Sequence, residues 1–302
     1  MQPLGGAVSH NAPLIKQRPP ETPFDIRENR ALVSLGPLSP KKYCTYSCPF
    51  CYVNADFLSY VPLDRKEIVR WLSERRREFD IVYVSGDTDS SAPPRAEEGI
   101  ALLRDLLTLD VDVMFTTRTV FTPSQLDSLE SISSNLRSAG HYLFGCGSVV
   151  QLNFRHLEPP PIPSSEQRLA QLCAFKRRGI VSVLAARPFL PNVPANETVQ
   201  IVRAVEQCVD VVLGEVWYFD SGGKLEGQVF QGKAPSGFVY IRGQMDFDIN
   251  TAEWNIYEGI ETRKSVEAFC QSAGIPFFMR SRPAVEWIRN NGPRKVSGQF
   301  GA

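Results

Sequence analysis

The sequence predicts an α/β protein built on a parallel sheet, because short apolar runs alternate with amphipathic helical segments along most of the chain. The six predicted strands are 31–35, 81–84, 111–116, a run within 142–154, 181–185 and 209–216. Most of these runs are continuously apolar, which is typical of strands buried on both faces. Short loops and a helix between successive strands indicate βαβ units. This pattern alone does not distinguish a doubly wound sheet from a barrel.

Capping signals and apolar stripes place the helices between these strands. The predicted helices are 64–78, 97–107, a helix that begins at 122, 164–178 and 197–207. Asp64 and Glu67 have the spacing of a capping box, as do Ser164 and Gln167. Gly179 follows the fourth helix, where glycine commonly ends a helix.

Composition divides the chain into three segments. Residues 1–28 are rich in proline and glycine and are predicted to form an N-terminal extension. Residues 29–219 contain the strand–helix alternation and are predicted to form the core. Residues 220–302 contain repeated glycines and added aromatics. We expect this last segment to be an α+β extension with a helix near 262–273 that closes the mouth of the core.

Charge and hydropathy indicate which classes of partner to expect. The chain has 302 residues, of which 33 are basic and 33 acidic, so no overall field attracts it to polyanions and nucleic acid is not an expected partner. No apolar run reaches the roughly 18 residues that a membrane helix needs. The start of the chain does not resemble a signal peptide. A cytoplasmic location without membrane association is therefore expected.

The most informative motif is a run of three cysteines with C-x3-C-x2-C spacing. These residues are Cys44, Cys48 and Cys51, and Phe50 precedes the last of them. A structural zinc site and a ferredoxin-type cluster each use four protein ligands, so three thiols indicate a centre with one position left open. Zinc with a histidine as its fourth ligand is the alternative, although no histidine lies at the usual close spacing.

The four other cysteines are predicted to be small core residues, since each is isolated among apolar neighbours. They are Cys146, Cys173, Cys208 and Cys270. A disulfide framework is not expected in a chain of this length with an odd number of cysteines.

The cysteine spacing together with Phe50 resembles the signature of the radical S-adenosylmethionine (radical SAM) superfamily. The resemblance implies a [4Fe-4S] cluster on Cys44, Cys48 and Cys51, with SAM on the open iron. It implies reductive cleavage of SAM to a 5′-deoxyadenosyl radical, which removes hydrogen from a substrate, and an electron donor such as flavodoxin or ferredoxin. It also implies a partial (β/α)6 TIM-like barrel, with the cluster loop after the first strand.

The ends of the predicted strands supply the candidate SAM ligands. Ser85, Gly86, Asp87 and Thr88 follow the second strand, where the family carries a Gly/Glu-type motif for the SAM ammonium. This chain departs from the usual Gly-Gly-Glu, and a turn with a helix cap is the alternative for the same residues. Thr117 and Arg118 end the third strand, and the paired donors of a guanidinium suit the SAM carboxylate. A surface salt bridge is the alternative for Arg118.

Further features resemble the branch that contains spore photoproduct lyase. They are Glu158-Pro159 near a strand end, Arg168-Leu169 on a helix, Gly179 before a strand and Arg187-Pro188 after it. In this resemblance Gln151 and Asn153 contact the ribose or carboxylate of SAM. The lyase has an additional cysteine just ahead of its Ser/Thr-Asp motif, where this chain has Ser85-Gly86-Asp87.

This departure and the absence of net charge favour a small-metabolite substrate over thymine-dimer repair. We expect hydrogen abstraction from a nucleoside, sugar or amino-acid derivative, followed by a step such as decarboxylation or rearrangement. Substrate contacts are predicted from Tyr52, His156, Arg187 and Glu215, with a buried ion pair as the alternative for the last two. A nucleic-acid repair lyase and an iron–sulfur redox protein that does not use SAM are the alternative functions.

Overall fold

The computed structural model describes residues 25–35, 44–54, 64–86, 88–245 and 253–295. Its strands are β1 (Asp25–Arg27), β2 (Arg30–Val33), β3 (Ile81–Val84), β4 (Asp112–Thr117), β5 (Leu143–Ser148), β6 (Val181–Ala185), β7 (Val211–Leu213), β8 (Trp217–Phe219), β9 (Ile241–Gly243), β10 (Trp254–Tyr257) and β11 (Phe277–Phe278). Its helices are α1 (Arg65–Glu74), α2 (Ala96–Asp105), α3 (Pro123–Ser138), α4 (Ser165–Arg177), α5 (Ala195–Ala204), α6 (Lys224–Val229), α7 (Ile260–Ser272) and α8 (Ser281–Asn291).

Eight of the strands form one sheet in the order β1-β2-β3-β4-β5-β6-β7-β11. Strands β2 to β7 are parallel neighbours in chain order and correspond to the six predicted strands. The sheet also has two edge strands that the sequence pattern did not predict. β1 pairs antiparallel with β2, and β11 from the C-terminal segment pairs parallel with β7.

The helix starts are set by the predicted local hydrogen bonds. At α1 the Asp64 side chain accepts from the Glu67 N–H at 2.8 Å, and the Glu67 carboxylate accepts from the Asp64 N–H at 3.0 Å. The same reciprocal pair opens α4 at Ser164 and Gln167. The last predicted strand is shorter than expected, because the N–H of Val209 still bonds to the carbonyl of Val205 in a helical turn.

The interior of the parallel sheet is filled by α8. Apolar side chains on the inner face of β3 to β7 share one buried cluster with Ala284, Val285 and Ile288 of this helix. The opposite face of the sheet packs against α1 to α5, as expected for a barrel-like layer of strands inside a layer of helices. The carboxyl ends of the strands are thereby left as the open end of the fold, which is where barrel active sites lie.

A second, antiparallel sheet lies near this open end. Its order is β8-β10-β9, and it carries a group of contacting aromatic rings. Trp217 stacks on Phe219 with ring centroids 4.5 Å apart, and Phe219 contacts Phe238 and Tyr240. The mixed α+β character predicted for the C-terminal segment is thus present.

The prediction that all four remaining cysteines are separate core thiols was wrong for two of them. Cys173 and Cys208 form a disulfide, with Cα atoms 4.6 Å apart and a sequence separation of 35. The fold brings the end of α4 beside the segment that precedes β7, a contact that residue spacing does not reveal. Cys146 and Cys270 are buried free thiols.

No helix in the ranges described above combines the length and apolar character needed to cross a membrane.

Candidate active site

One cavity of about 750 Å³ lies at the carboxyl ends of the parallel strands. All three motif cysteines line it. The predicted cofactor ligands in its wall are Phe50, Ser85, Gly86, Thr88, Thr117 and Arg118. The predicted substrate contacts in its wall are Tyr52, Arg187 and Glu215. Residues distant in sequence therefore converge on one space because parallel strands end at one edge of the sheet.

Three predicted site residues lie elsewhere, and a fourth is outside the described residues. Gln151 is buried and its Nε2 donates to Glu158 Oε2 at 3.3 Å, while Asn153 donates to Glu197 Oε2 at 2.9 Å. His156 lies in a short 3-10 turn after β5, and its Nε2 donates to the Val229 carbonyl at 3.3 Å. None of these three side chains is part of the described cavity wall. Asp87 lies outside the described residues.

The cysteine loop is held in place by hydrogen bonds to three other parts of the chain. The hydroxyl of Thr45 donates to the Pro93 carbonyl at 2.7 Å, and the Tyr46 hydroxyl bonds to Thr119 at 3.0 Å. The indole N–H of Trp217 donates to the Phe50 carbonyl at 2.9 Å. These anchors fix the positions of the thiols before any ligand binds.

Within the loop, the backbone turns so that all three thiols face the cavity. The Cys51 N–H donates to the Cys48 carbonyl at 3.0 Å, and the Asn54 side chain donates to the same carbonyl at 2.8 Å. Burial raises the pKa of Cys48 to about 11 and the pKa of Cys51 to about 12. Thiolates are unfavourable in this setting unless a positive centre compensates them.

The donor set fits an iron–sulfur cluster. In the described part of the chain, no three His, Cys, Asp or Glu side chains converge closely enough to hold a single metal ion. Convergence on one point is not needed for a cluster, in which each thiolate binds a different iron. The buried, polarisable pocket and three thiols on one short loop are therefore consistent with that cofactor.

Arg118 lies next to the cysteine loop and is held there by a buried carboxylate. Its Nε donates to Glu158 Oε1 at 3.1 Å, and its guanidinium lies 5.4 Å from the centroid of the Phe50 ring. Burial opposes the charge of Arg118, but Cys48 and Glu158 outweigh this effect and raise the pKa of the guanidinium above its usual value. The two terminal nitrogens have no hydrogen-bond partner among the described residues, so they are available to an anion in the cavity.

The ion pair proposed as the alternative role for Arg118 is thus present, but it is buried and engages only one nitrogen. Glu158 is itself fully buried and pairs with Arg168. This arrangement orients Arg118 and does not neutralise it, because one carboxylate serves two guanidinium groups.

Asp89 connects the loop after β3 to the end of β4, a role that residue spacing did not assign. Its carboxylate accepts from the Arg118 N–H at 2.7 Å, from the Thr117 hydroxyl at 2.9 Å and from the Ser91 N–H at 3.0 Å. Burial raises the pKa of Asp89, although these three donors favour its charged form. The side chain positions Thr117 and Arg118 in the cavity wall.

The turn after β3 is built by Ser85. Its backbone is left-handed, with φ of +71°, and its hydroxyl accepts from the Ser90 N–H at 2.9 Å. The Gly86 carbonyl lies 3.4 Å from the Tyr52 hydroxyl, which donates to it. The turn geometry expected for these residues is thus present in the cavity wall.

Arg187 and Glu215 end neighbouring strands at the far side of the cavity. Nη2 of Arg187 donates to the Tyr83 hydroxyl, which also bonds to Thr116 Oγ1 at 2.6 Å. Burial opposes the charge of Arg187, but Tyr83 and Glu215 raise its pKa above the usual value. Tyr83 was not predicted as a site residue because it lies within an apolar strand, where its type indicates core.

Comparisons with known proteins find a similar fold in radical SAM proteins. No family model matches the chain. A curated relative, the radical SAM Nα-GlyT isomerase of Pseudomonas phage M6, is 24% identical over 172 residues. That match covers 52% of this chain and 34% of the relative, so the chain spans about a third of the relative's length.

Solved structures resemble most of the chain in fold. A spore photoproduct lyase mutant with bound AdoMet and dinucleoside spore photoproduct matches with a TM-score of 0.61 and 11% identity, over 85% of this chain and 79% of that one. Streptococcus suis SuiB bound to S-adenosylmethionine matches with a TM-score of 0.52 and 15% identity, over 83% and 50% of the two chains. The radical S-adenosylmethionine methyltransferase TsrM of Kitasatospora setae matches with a TM-score of 0.52 and 12% identity, over 85% and 57%.

The solved structures confirm the predicted partial barrel, and the name of the curated relative agrees with the resemblance of the cysteine motif to the radical SAM superfamily.

Proposed function

We propose that this protein uses a [4Fe-4S] cluster and SAM to remove a hydrogen atom from a nucleoside-derived substrate. The single observation that carries the proposal is the shared cavity, into which the three thiols, the open side of Arg118, and Tyr52, Arg187 and Glu215 all face. When bound, the cluster and SAM supply a 5′-deoxyadenosyl radical. The residues of the protein bind the substrate, orient it and exclude water.

The residues divide these tasks by position. Cys44, Cys48 and Cys51 hold the cluster, and the terminal nitrogens of Arg118 bind the SAM carboxylate through charge-assisted hydrogen bonds. Asp89 holds Arg118 in place by accepting a hydrogen bond from its backbone N–H, and Glu158 does so by accepting one from its Nε. Tyr52 follows Cys51 in the cavity wall, where its ring packs edge-on to Trp254 with the ring centroids 6.4 Å apart, and its role is to limit the access of water.

A nucleoside-derived substrate is supported by the names of the matched proteins. The phage relative is named an Nα-GlyT isomerase, and several lyase structures hold a dinucleoside photoproduct. Rearrangement after hydrogen abstraction is the reaction class that we propose, with a flavodoxin or ferredoxin as electron donor. A nucleic-acid repair lyase is the second candidate, favoured by the same dinucleoside ligands and disfavoured by the zero net charge of the chain.

The test is SAM cleavage by anaerobically reconstituted protein. Wild type with dithionite and SAM should form 5′-deoxyadenosine and methionine, and Cys48→Ala should form neither above background. Cys270→Ala is the matched control, because Cys270 is also a buried thiol but lies outside the cavity wall. Wild type with an intact cluster that neither binds nor cleaves SAM would overturn the proposal in favour of an iron–sulfur redox protein.

A further inference from the structure

Three consecutive large apolar residues are exposed at the edge of the second sheet, and together we call them the apolar patch. Val239 is 75% exposed, Tyr240 40% and Ile241 49%. Ile241 begins β9, which pairs with β10 on one side and with no strand on the other among the described residues. The other exposed large hydrophobic residues in the described ranges are single ones, Val120 and Ile260. Contiguous exposed apolar surface is typical of an interaction site, whereas single exposed apolar residues are not.

A chain of contacting rings joins the apolar patch to the cysteine loop. The centroids of the Tyr240 and Phe219 rings lie 5.3 Å apart, and those of Phe219 and Trp217 lie 4.5 Å apart. The indole N–H of Trp217 donates to the Phe50 carbonyl at 2.9 Å. Phe50 directly precedes Cys51 in the sequence. Two ring contacts and one hydrogen bond therefore lead from the protein surface to the residue next to a motif cysteine.

The inner part of this chain is shielded from solvent. Trp217 is 1% exposed and Phe219 is completely buried. Both ring separations are those of aromatic pairs in contact. Electron tunnelling slows steeply with distance and with gaps between atoms, so a short run of packed rings and a hydrogen bond favours electron transfer along it.

The chain of rings reaches the cysteine loop from outside the cavity. Trp217 lines the cavity, whereas Phe219 and Tyr240 are not part of the described cavity wall. In the proposed function the cavity holds SAM and substrate, so an electron donor needs an approach that stays open when both are bound. The cysteine loop also exposes Ser47, but this small polar residue offers no apolar surface to a partner.

We propose that the apolar patch is the docking surface of the protein that donates the electron to the cluster. The proposal rests on the proposed function, because it requires a cluster on the cysteine loop, and it goes further by locating the donor. The donor loses one electron and the oxidised cluster gains it, and no bond forms or breaks. Redox partners meet through small, transient interfaces. An exposed tyrosine between two aliphatic residues suits such an interface, because aromatic side chains are enriched in interface cores.

The test compares a protein donor with a small-molecule donor for the same cluster. The protein is reconstituted anaerobically without SAM, and cluster reduction is followed by electron paramagnetic resonance. The donors are dithionite and, at limiting concentration, reduced flavodoxin or ferredoxin, whichever reduces wild type faster. Val239→Lys and Ile241→Lys should each slow reduction by the protein donor about tenfold or more, since a charge at the centre of an apolar contact weakens docking. Reduction by dithionite should be unchanged.

Two further variants complete the design. Ile260→Lys is the matched control, because it makes the same change at an exposed isoleucine outside the patch, and it should be reduced like wild type by both donors. Ser47→Lys tests docking on the cysteine loop itself and should also leave the rate with the protein donor unchanged. Lysine is tolerated on an edge strand, so Ile241→Lys should fold.

Several outcomes would overturn the docking proposal. Equal rates with the protein donor in wild type and both patch variants would do so, and so would an equal loss with dithionite. Slow reduction of Ser47→Lys alone would place the donor on the cysteine loop. A dimer that Val239→Lys converts to a monomer, with reduction unchanged, would show that a second copy covers the patch. An intact cluster that is reduced through the patch but never cleaves SAM would overturn the proposed function and leave the docking surface standing.

Discussion

The Glu158 carboxylate and the Arg168 guanidinium form a two-point ion pair, with Nη1 to Oε1 at 2.8 Å and Nη2 to Oε2 at 2.5 Å. Both side chains are almost completely buried. The same carboxylate accepts from Arg118 at the cavity wall. The pair therefore links the packing of α4 to the orientation of a residue that we assign to SAM.

Glu158→Gln should destabilise the protein by about 3–5 kcal/mol, the usual cost of removing one partner from a buried ion pair. The loss arises because Arg168 and Arg118 remain buried with one weaker, neutral acceptor. Urea unfolding at pH 7 measures the difference. Glu267→Gln, an exposed change on α7, is the matched control and should alter stability by less than about 0.5 kcal/mol.

The difference in stability between wild type and Glu158→Gln should depend on pH. Burial would raise the pKa of Glu158, but Arg168 and Arg118 hold it below its usual range. A lowered carboxyl pKa stabilises the fold above the ordinary value of about 4.3, and that contribution is lost as the pH falls below it. The stability difference between wild type and Glu158→Gln should thus be constant from pH 7 to pH 5.5 and shrink below about pH 4.5. A difference that grows on acidification would contradict this account.

The sequence predicted those features that depend on neighbouring residues. The capping boxes at Asp64 and Ser164 were confirmed because a cap needs only a side chain and a backbone N–H three residues away. The six parallel strands were found because burial on both faces leaves continuous apolar runs. The cysteine motif was informative because its three thiols lie on one short loop.

Features that depend on long-range packing could not be predicted in this way. The pairing of β11 with β7 joins residues that are far apart in sequence, and so does the packing of α8 against the inner face of the sheet. Tyr83 lines the cavity because of strand register, whereas its position within an apolar strand suggested a core residue. His156 lies near a predicted strand end, but the 3-10 turn directs its ring toward Val229.

Arg118→Lys should weaken SAM binding roughly ten- to hundredfold, since lysine keeps the charge but loses the paired donors that a carboxylate accepts from arginine. Equilibrium binding of SAM to reconstituted protein measures the change, and iron content should remain equal to wild type. Arg178→Lys, at the end of α4, is the control for the same substitution outside the cavity. Unchanged SAM affinity with an intact cluster would refute the role assigned to Arg118.

Removal of the Cys173–Cys208 disulfide should lower stability by about 3–4 kcal/mol, the chain-entropy value for a closed loop of this size. The double variant Cys173→Ala and Cys208→Ala tests this by urea unfolding, with Cys146 and the three motif cysteines unchanged. Peptide mapping without reductant should recover the two residues in one linked fragment. Two separate fragments carrying free thiols would show that the bond does not form.

Arg289→Gln should loosen α8 from the sheet. Arg289 donates to Asp112 Oδ2 at 2.5 Å, and to Asp80 through Oδ2 at 3.1 Å and the carbonyl at 2.8 Å. Asp112 is 2% exposed, so loss of its charged partner should destabilise the protein by about 3 kcal/mol. Hydrogen exchange should therefore accelerate in α8 before it changes in α2, because local opening follows the contacts that are lost. Lys264→Gln on the exposed side of α7 should leave both helices unchanged. Equal acceleration throughout the sheet would show instead that α8 unfolds only with the whole domain.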